Sequence, residues 1–149
     1  MPKFYNKSGV AFQYPDSWML DETEPEMGNR SIAVQSPGSS FWAIGLHPSA
    51  NKPGRLVEAT IEALREEYPE LEAERFEETV EGVELKGYEV NFICCDFTST
   101  ARAVAFRDNR ATCLIYWQSD DRDLKQYGGV FEAMILTFLK HRNAPNEGL

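Results

Sequence analysis

The side chains that could do chemistry are few and scattered. Histidine occurs twice, at His47 and His141. Acid–base catalysis by imidazole needs a second titrating or nucleophilic group beside it, and no motif places one near either histidine. His141 stands between Lys140 and Arg142, a cationic trio suited to the carboxyl end of a helix. The cysteines, Cys94, Cys95 and Cys113, are odd in number and lack metal-site spacing. On a strand, Cys94 and Cys95 point to opposite faces, and all three read as reduced packing residues. Asp120, Asp121 and Asp123 lack the alternating ligands and glycine of a calcium loop, and suit the start of a helix better. Gly128-Gly129 has neither the lysine of a phosphate loop nor the third glycine of a dinucleotide fingerprint. The expectation is no catalytic residue, no metal and no cofactor.

Binding chemistry is better represented. Arg102, Arg107 and Arg110 fall on one expected hairpin, where they could receive a small anion or acidic partner, or pair with glutamates across strands. Trp42 and Trp117 lie in strands with partly apolar neighbours, as binding anchors or as core. Tyr14-Pro15-Asp16-Ser17-Trp18 could form a ligand lip, but reads more simply as a turn at Pro15 with Trp18 closing one end of the core. His47 sits at a strand end before Pro48.

The net charge of −9 is concentrated. The window Glu58 to Glu84 holds eleven glutamates against Arg65 and Arg75, and the rest of the chain balances at 13 acidic and 13 basic residues. Phosphate contacts require cations, so this chemistry argues against nucleic acid and against anionic membranes. The opening Met-Pro-Lys-Phe-Tyr-Asn-Lys lacks the apolar core of a signal peptide, and no apolar run is long enough to span a bilayer. The expected setting is a soluble protein in the cytoplasm.

The elements that must position these residues follow from periodicity. Val10–Tyr14, Ser31–Ser36 and Phe41–His47 read as strands punctuated by turn residues. Arg55–Tyr68 reads as a helix, with Val57, Ile61, Leu64 and Tyr68 on one stripe and Glu58, Glu62 and Glu66 on another face. Leu71–Val80 reads as a charged, half-exposed strand with Glu72, Glu74 and Glu78 on one face. Gly82 and Gly87 mark turns, and Tyr88–Phe97 reads as a central strand. Ala101–Phe106 and Ala111–Gln118 form a hairpin about Asp108-Asn109. Ser119–His141 reads as a second helix, weakened at Gly128-Gly129 so that it could begin near Gly129. The predicted whole is one α+β domain over 1–142, an antiparallel sheet sandwiched by two main helices, with a loose tail over 143–149.

The segment Gly9-Val-Ala-Phe12-Gln-Tyr14-Pro15-Asp16-Ser17-Trp18 resembles the opening motif of the PsbP-like superfamily. The last helix, an Asp-rich turn followed by Tyr127, Phe131, Met134 and Phe138, is similar to that superfamily's closing element. The resemblance spans roughly Phe4 to Leu139. It implies an α/β/α sandwich and, among Mog-type and DcrB-like relatives, a small cytosolic bacterial member that binds and does not catalyse. The expected function is a non-enzymatic adaptor or chaperone-like module for another protein; the acidic window either meets a basic partner or is a solvated helix face beside a charged edge strand that deters aggregation. A small-ligand carrier with a pocket between sheet and helix is the alternative, and an enzyme of unrecognised type the third class. The binding residues this reading selects are Glu58, Glu62 and Glu66, with Trp42, His47, Arg102 and Trp117.

Overall fold

Short runs of alternating apolar and polar residues make most of the chain strand. The structure, a computed structural model, describes residues 1–23 and 26–143. The strands are β1 (Lys3–Lys7), β2 (Val10–Tyr14), β3 (Met19–Glu22), β4 (Arg30–Gln35), β5 (Phe41–His47), β6 (Glu72–Val80), β7 (Val83–Cys94), β8 (Phe97–Arg107) and β9 (Thr112–Asp120). Helix α1 (Pro53–Glu67) follows β5, and α2 (Asp121–Asn143) follows β9. Seven strands form one antiparallel sheet in the order β3-β4-β5-β9-β8-β7-β6, and β1-β2 form a separate hairpin. All pairings are antiparallel, so the α+β class read from the sequence is the one observed.

The strand period of two sends alternate residues to two cores. On one face Trp42, Ile44, Ile115, Trp117, Val104 and Phe106 pack against Phe131, Met134, Ile135 and Phe138 of α2, with Phe12 and Tyr14 of the β1-β2 hairpin beside them. On the other face Val57 and Ile61 of α1 rest on Val90, Phe92, Ala101, Ala103 and Ala105. The alternating alanines of β8 keep that floor low, so one helix can approach it. Pro53 starts α1, where a missing N–H costs nothing. The helix ends at Tyr68, whose N–H donates to the Leu64 carbonyl, before Pro69.

Several sequence expectations are corrected. Tyr88–Phe97 is not one strand: it contains the turn between β7 and β8, made by Cys95 and Asp96, with φ of 55° and 68°. Gly87 marks no turn. It lies inside β7, where an added Cβ would fall on the Ala103 carbonyl oxygen of β8. Ser119 and Asp120 belong to β9, and α2 runs unbroken from Asp121 through Gly128 and Gly129. Asp120 caps it, its carboxylate accepting from the Asp123 N–H at 2.9 Å. Strands β1 and β3, both largely exposed, are additions to the sequence reading. Asn143 ends α2, and the remainder of the expected tail lies outside the described residues.

Arg142 locks the ends of the fold together. Its guanidinium is buried against Asp108, Nε to Oδ2 at 2.6 Å, and donates to the Gly9 carbonyl at 3.1 Å. Burial disfavours the Asp108 carboxylate, but Arg142 and two backbone amides outweigh it and leave its pKa below the ordinary value. A second tie joins the Gln13 N–H to Thr137 Oγ1 at 3.1 Å, holding β2 alongside α2.

Candidate functional site

Antiparallel register places three of the expected binding residues on a single row across the sheet. Glu74 of β6 lies opposite Glu89 of β7, Glu89 opposite Arg102 of β8, Arg102 opposite Trp117 of β9, and Trp117 opposite Trp42 of β5. The row runs from an acidic margin into the apolar core. Trp42 is 0% exposed and Trp117 3%, so neither can anchor a partner at the surface. Their burial is what the register requires, because both face α2 and the hairpin. Trp42 packs on Phe12 and Trp117 stacks on Phe131.

Arg102 occupies the boundary. Its guanidinium lies 3.9 Å above the Phe76 ring and 5.0 Å from that of Trp117. Nη1 donates to Glu132 of α2 at 2.6 Å, with Glu78 at 3.9 Å and Glu89 at 3.7 Å from the same group. Three carboxylates around one cation leave no free positive charge, so of the two readings of Arg102 the pairing with glutamates is the one observed, and not an anion site. Arg107 and Arg110 do not join it: Arg107 donates to the Asn51 carbonyl and Arg110 to the Arg142 carbonyl. Burial, and then Glu132, raise the pKa of Glu78 against the opposing pull of Arg102.

The acidic window wraps around the edge strand β6. Glu58, Glu62 and Glu66 are exposed on α1, as their spacing predicts, and Glu58 accepts from the Tyr88 hydroxyl at 2.9 Å. On β6, Glu77 shares the face of α1. Glu72, Glu74 and Glu78 share the opposite face with Phe76, and of these Glu78 turns inward to Arg102. The window is therefore two acidic surfaces meeting at one sheet edge. Among the described residues, Glu62, Glu66, Glu67, Glu70, Glu72, Glu74 and Glu77 are all exposed and form no ion pair with a cation of the chain.

No protein-family model matches this sequence, and no curated protein matches it significantly. Solved structures do. Cyanobacterial PsbP from Synechocystis superposes with a TM-score of 0.60 over 91% of this chain and 90% of its own, at 11% identity. The fold is PsbP-like. A protein of unknown function from Pseudomonas aeruginosa, a candidate regulator, superposes with a TM-score of 0.56 over 91% of this chain and 94% of its own, at 14% identity.

The rest of the PsbP-like scaffold offers less. His47 is half-buried and its Nδ1 pairs with the neutral Asn29 amide oxygen at 3.0 Å, while burial lowers its pKa. Burial without a carboxylate partner favours the neutral form of the His47 imidazole. It lines an open groove of about 500 Å3 with Asn29, Arg30, Gly45 and Tyr116. A groove of about 670 Å3 lies between the start of α1 and the β6-β7 hairpin, with Glu58, Glu77 and Glu84 facing Arg75, Lys86 and Arg107. Among the described residues no three His, Cys, Asp or Glu side chains gather as a metal site, and no helix is long and apolar enough to cross a membrane. The signal that sequence reasoning lacked was register: only the pairing of Glu89 with Arg102 and Trp117 reveals which charges are spent internally.

Proposed function

We propose that this chain is a non-enzymatic protein-binding module, an adaptor or chaperone-like protein, that takes a basic partner along the acidic edge at β6. One observation carries the reading. A nine-residue edge strand carries three exposed carboxylates, and four more stand beside it on α1 and the loop after it, none of the seven in an ion pair with a cation of the chain among the described residues. An open sheet edge presents unpaired N–H and C=O groups and can accept an extended segment as an added strand. Glutamates there repel a second copy of the same edge and attract a segment bearing lysine or arginine. Such a field sets on-rate and orientation more than affinity. The net charge disfavours nucleic acid and anionic membrane as alternatives.

A cytoplasmic setting, among Mog-type or DcrB-like bacterial relatives, is the finer placement we favour, supported by three free cysteines in odd number. The small-ligand carrier remains the second reading, supported by the mixed-charge groove beside α1.

The test is partner capture on the immobilised chain, followed by association kinetics with the identified partner. A basic partner is expected, its on-rate falling as salt rises past about 0.1 M and falling again for Glu72→Gln, Glu74→Gln and Glu77→Gln together. A partner whose on-rate ignores both salt and these substitutions would overturn the reading.

A further inference from the structure

Among the described residues, four turns carry two successive residues with positive φ: Ser8-Gly9, Met27-Gly28, Glu81-Gly82 and Cys95-Asp96. Three place glycine second, the residue that such hairpin turns favour. The fourth, between β7 and β8, holds two side-chain-bearing residues in the left-handed region instead. Its first residue is a cysteine, and the residue before it, Cys94, ends β7.

The left-handed backbone of Cys95 undoes the alternation that a strand would impose. Instead of pointing to opposite faces, the two sulfurs lie 3.7 Å apart. Thiolates about 2.3 Å from a tetrahedral metal sit about 3.8 Å from one another, so the pair already has the spacing of a bidentate ligand. Cys95 is exposed and Cys94 partly so. Cys94 Sγ is further fixed by the Tyr68 hydroxyl, which donates to it at 3.2 Å, and the Tyr68 ring packs on Phe92 at 4.5 Å. The sulfurs open into a cleft of about 240 Å3 with Ser39, Phe97, Asp120 and Arg122 at its rim. Arg122 is held there by its position 3.5 Å over the Phe97 ring. Cys113, by contrast, is buried in the main core and reachable by nothing.

We propose that Cys94 and Cys95 form a two-thiolate chelate for a thiophilic centre, a soft d10 cation or trivalent arsenic, with its outer coordination positions open to solvent. Soft thiolates select such centres over hard cations. Binding breaks two S–H bonds and forms two bonds from sulfur to the centre, with no change of oxidation state. With phenylarsine oxide as the probe, the arsenic-bound oxygen takes both thiol protons and leaves as water. The charged and titrating groups around the pair are Glu67 of α1, Tyr68 just beyond it, Asp96 of the turn, Asp120 of β9 and Arg122 of α2. A cation displaces both protons into solvent, so its uptake strengthens as pH rises, whereas the arsenical carries them off as water and releases none.

The test is titration of the reduced, full chain with phenylarsine oxide, read by intact mass and by protection of thiols from alkylation. One equivalent is expected. It should be lost in Cys94→Ser and in Cys95→Ser and kept in Cys113→Ser. A double variant, Cys95→Asn with Asp96→Gly, keeps the turn in its preferred composition. It should fold with an unchanged circular dichroism spectrum and take up no arsenical. Absence of an adduct on the native chain, or an adduct that survives in either serine variant or in the Asn-Gly variant, overturns the proposal.

Discussion

Arg102 is surrounded by more negative charge than it can neutralise. Glu78, Glu89 and Glu132 all approach it, yet Glu78 Oε2 is buried without a hydrogen-bond partner among the described residues. A carboxylate whose pKa is raised in the folded state binds its proton more tightly there than in the unfolded chain. Its ionisation therefore lowers stability as pH rises through the native value, and the loss is relieved as pH falls toward the unfolded value. Glu78→Gln keeps the shape and removes the charge. It should raise the thermal midpoint at pH 7, with the gap to the native chain closing below about pH 4. A lower midpoint at pH 7 would mean that the 3.9 Å approach to Arg102 outweighs burial and the repulsion from Glu132.

Among the elements, α2 passes through Gly128 and Gly129 without a break, because its apolar side is held by Phe131, Met134, Ile135 and Phe138. Packing overrides the weak local propensity there. A Cβ on Gly129 would meet nothing within 4 Å, so Gly129→Ala should stabilise the protein by about 1 kcal/mol, measured as a shift in denaturant midpoint. No gain would indicate that the glycine relieves a strain elsewhere in the helix. Much of the architecture at this scale was legible in sequence: Val57 and Ile61 marked α1, and the alternation in Phe41–His47 marked β5. The turn at Cys95-Asp96 was not legible, because positive φ without glycine leaves no compositional sign. The row from Glu74 to Trp42 was equally hidden, since each strand alone shows alternation and only pairing shows who faces whom. Hence Glu58, Glu62 and Glu66 were placed correctly on an exposed face, whereas Trp42 and Trp117 proved to be core and Arg102 a boundary residue paired within the chain.

For the molecule as a whole, the excess charge is a standing repulsion along one margin. Self-repulsion destabilises a compact state, and salt screens it over about 10 Å at 0.1 M. The thermal midpoint should therefore rise with sodium chloride, and rise less in the variant with Glu58→Gln, Glu62→Gln and Glu66→Gln, whose folding is otherwise intact. A midpoint indifferent to salt would show that the carboxylates stand too far apart to interact. The tie between Arg142 and Gly9 has a separate consequence, for the order in which the chain is made. The β1-β2 hairpin is made before the other described elements, but Phe12 and Tyr14 pack in the core with β5 and α2, and α2 is made after all of them. At ordinary elongation rates those residues wait on the order of 10 s for their cover. In a nascent chain that interval is a window in which a holdase can bind the hairpin, and it closes when Arg142 reaches Gly9.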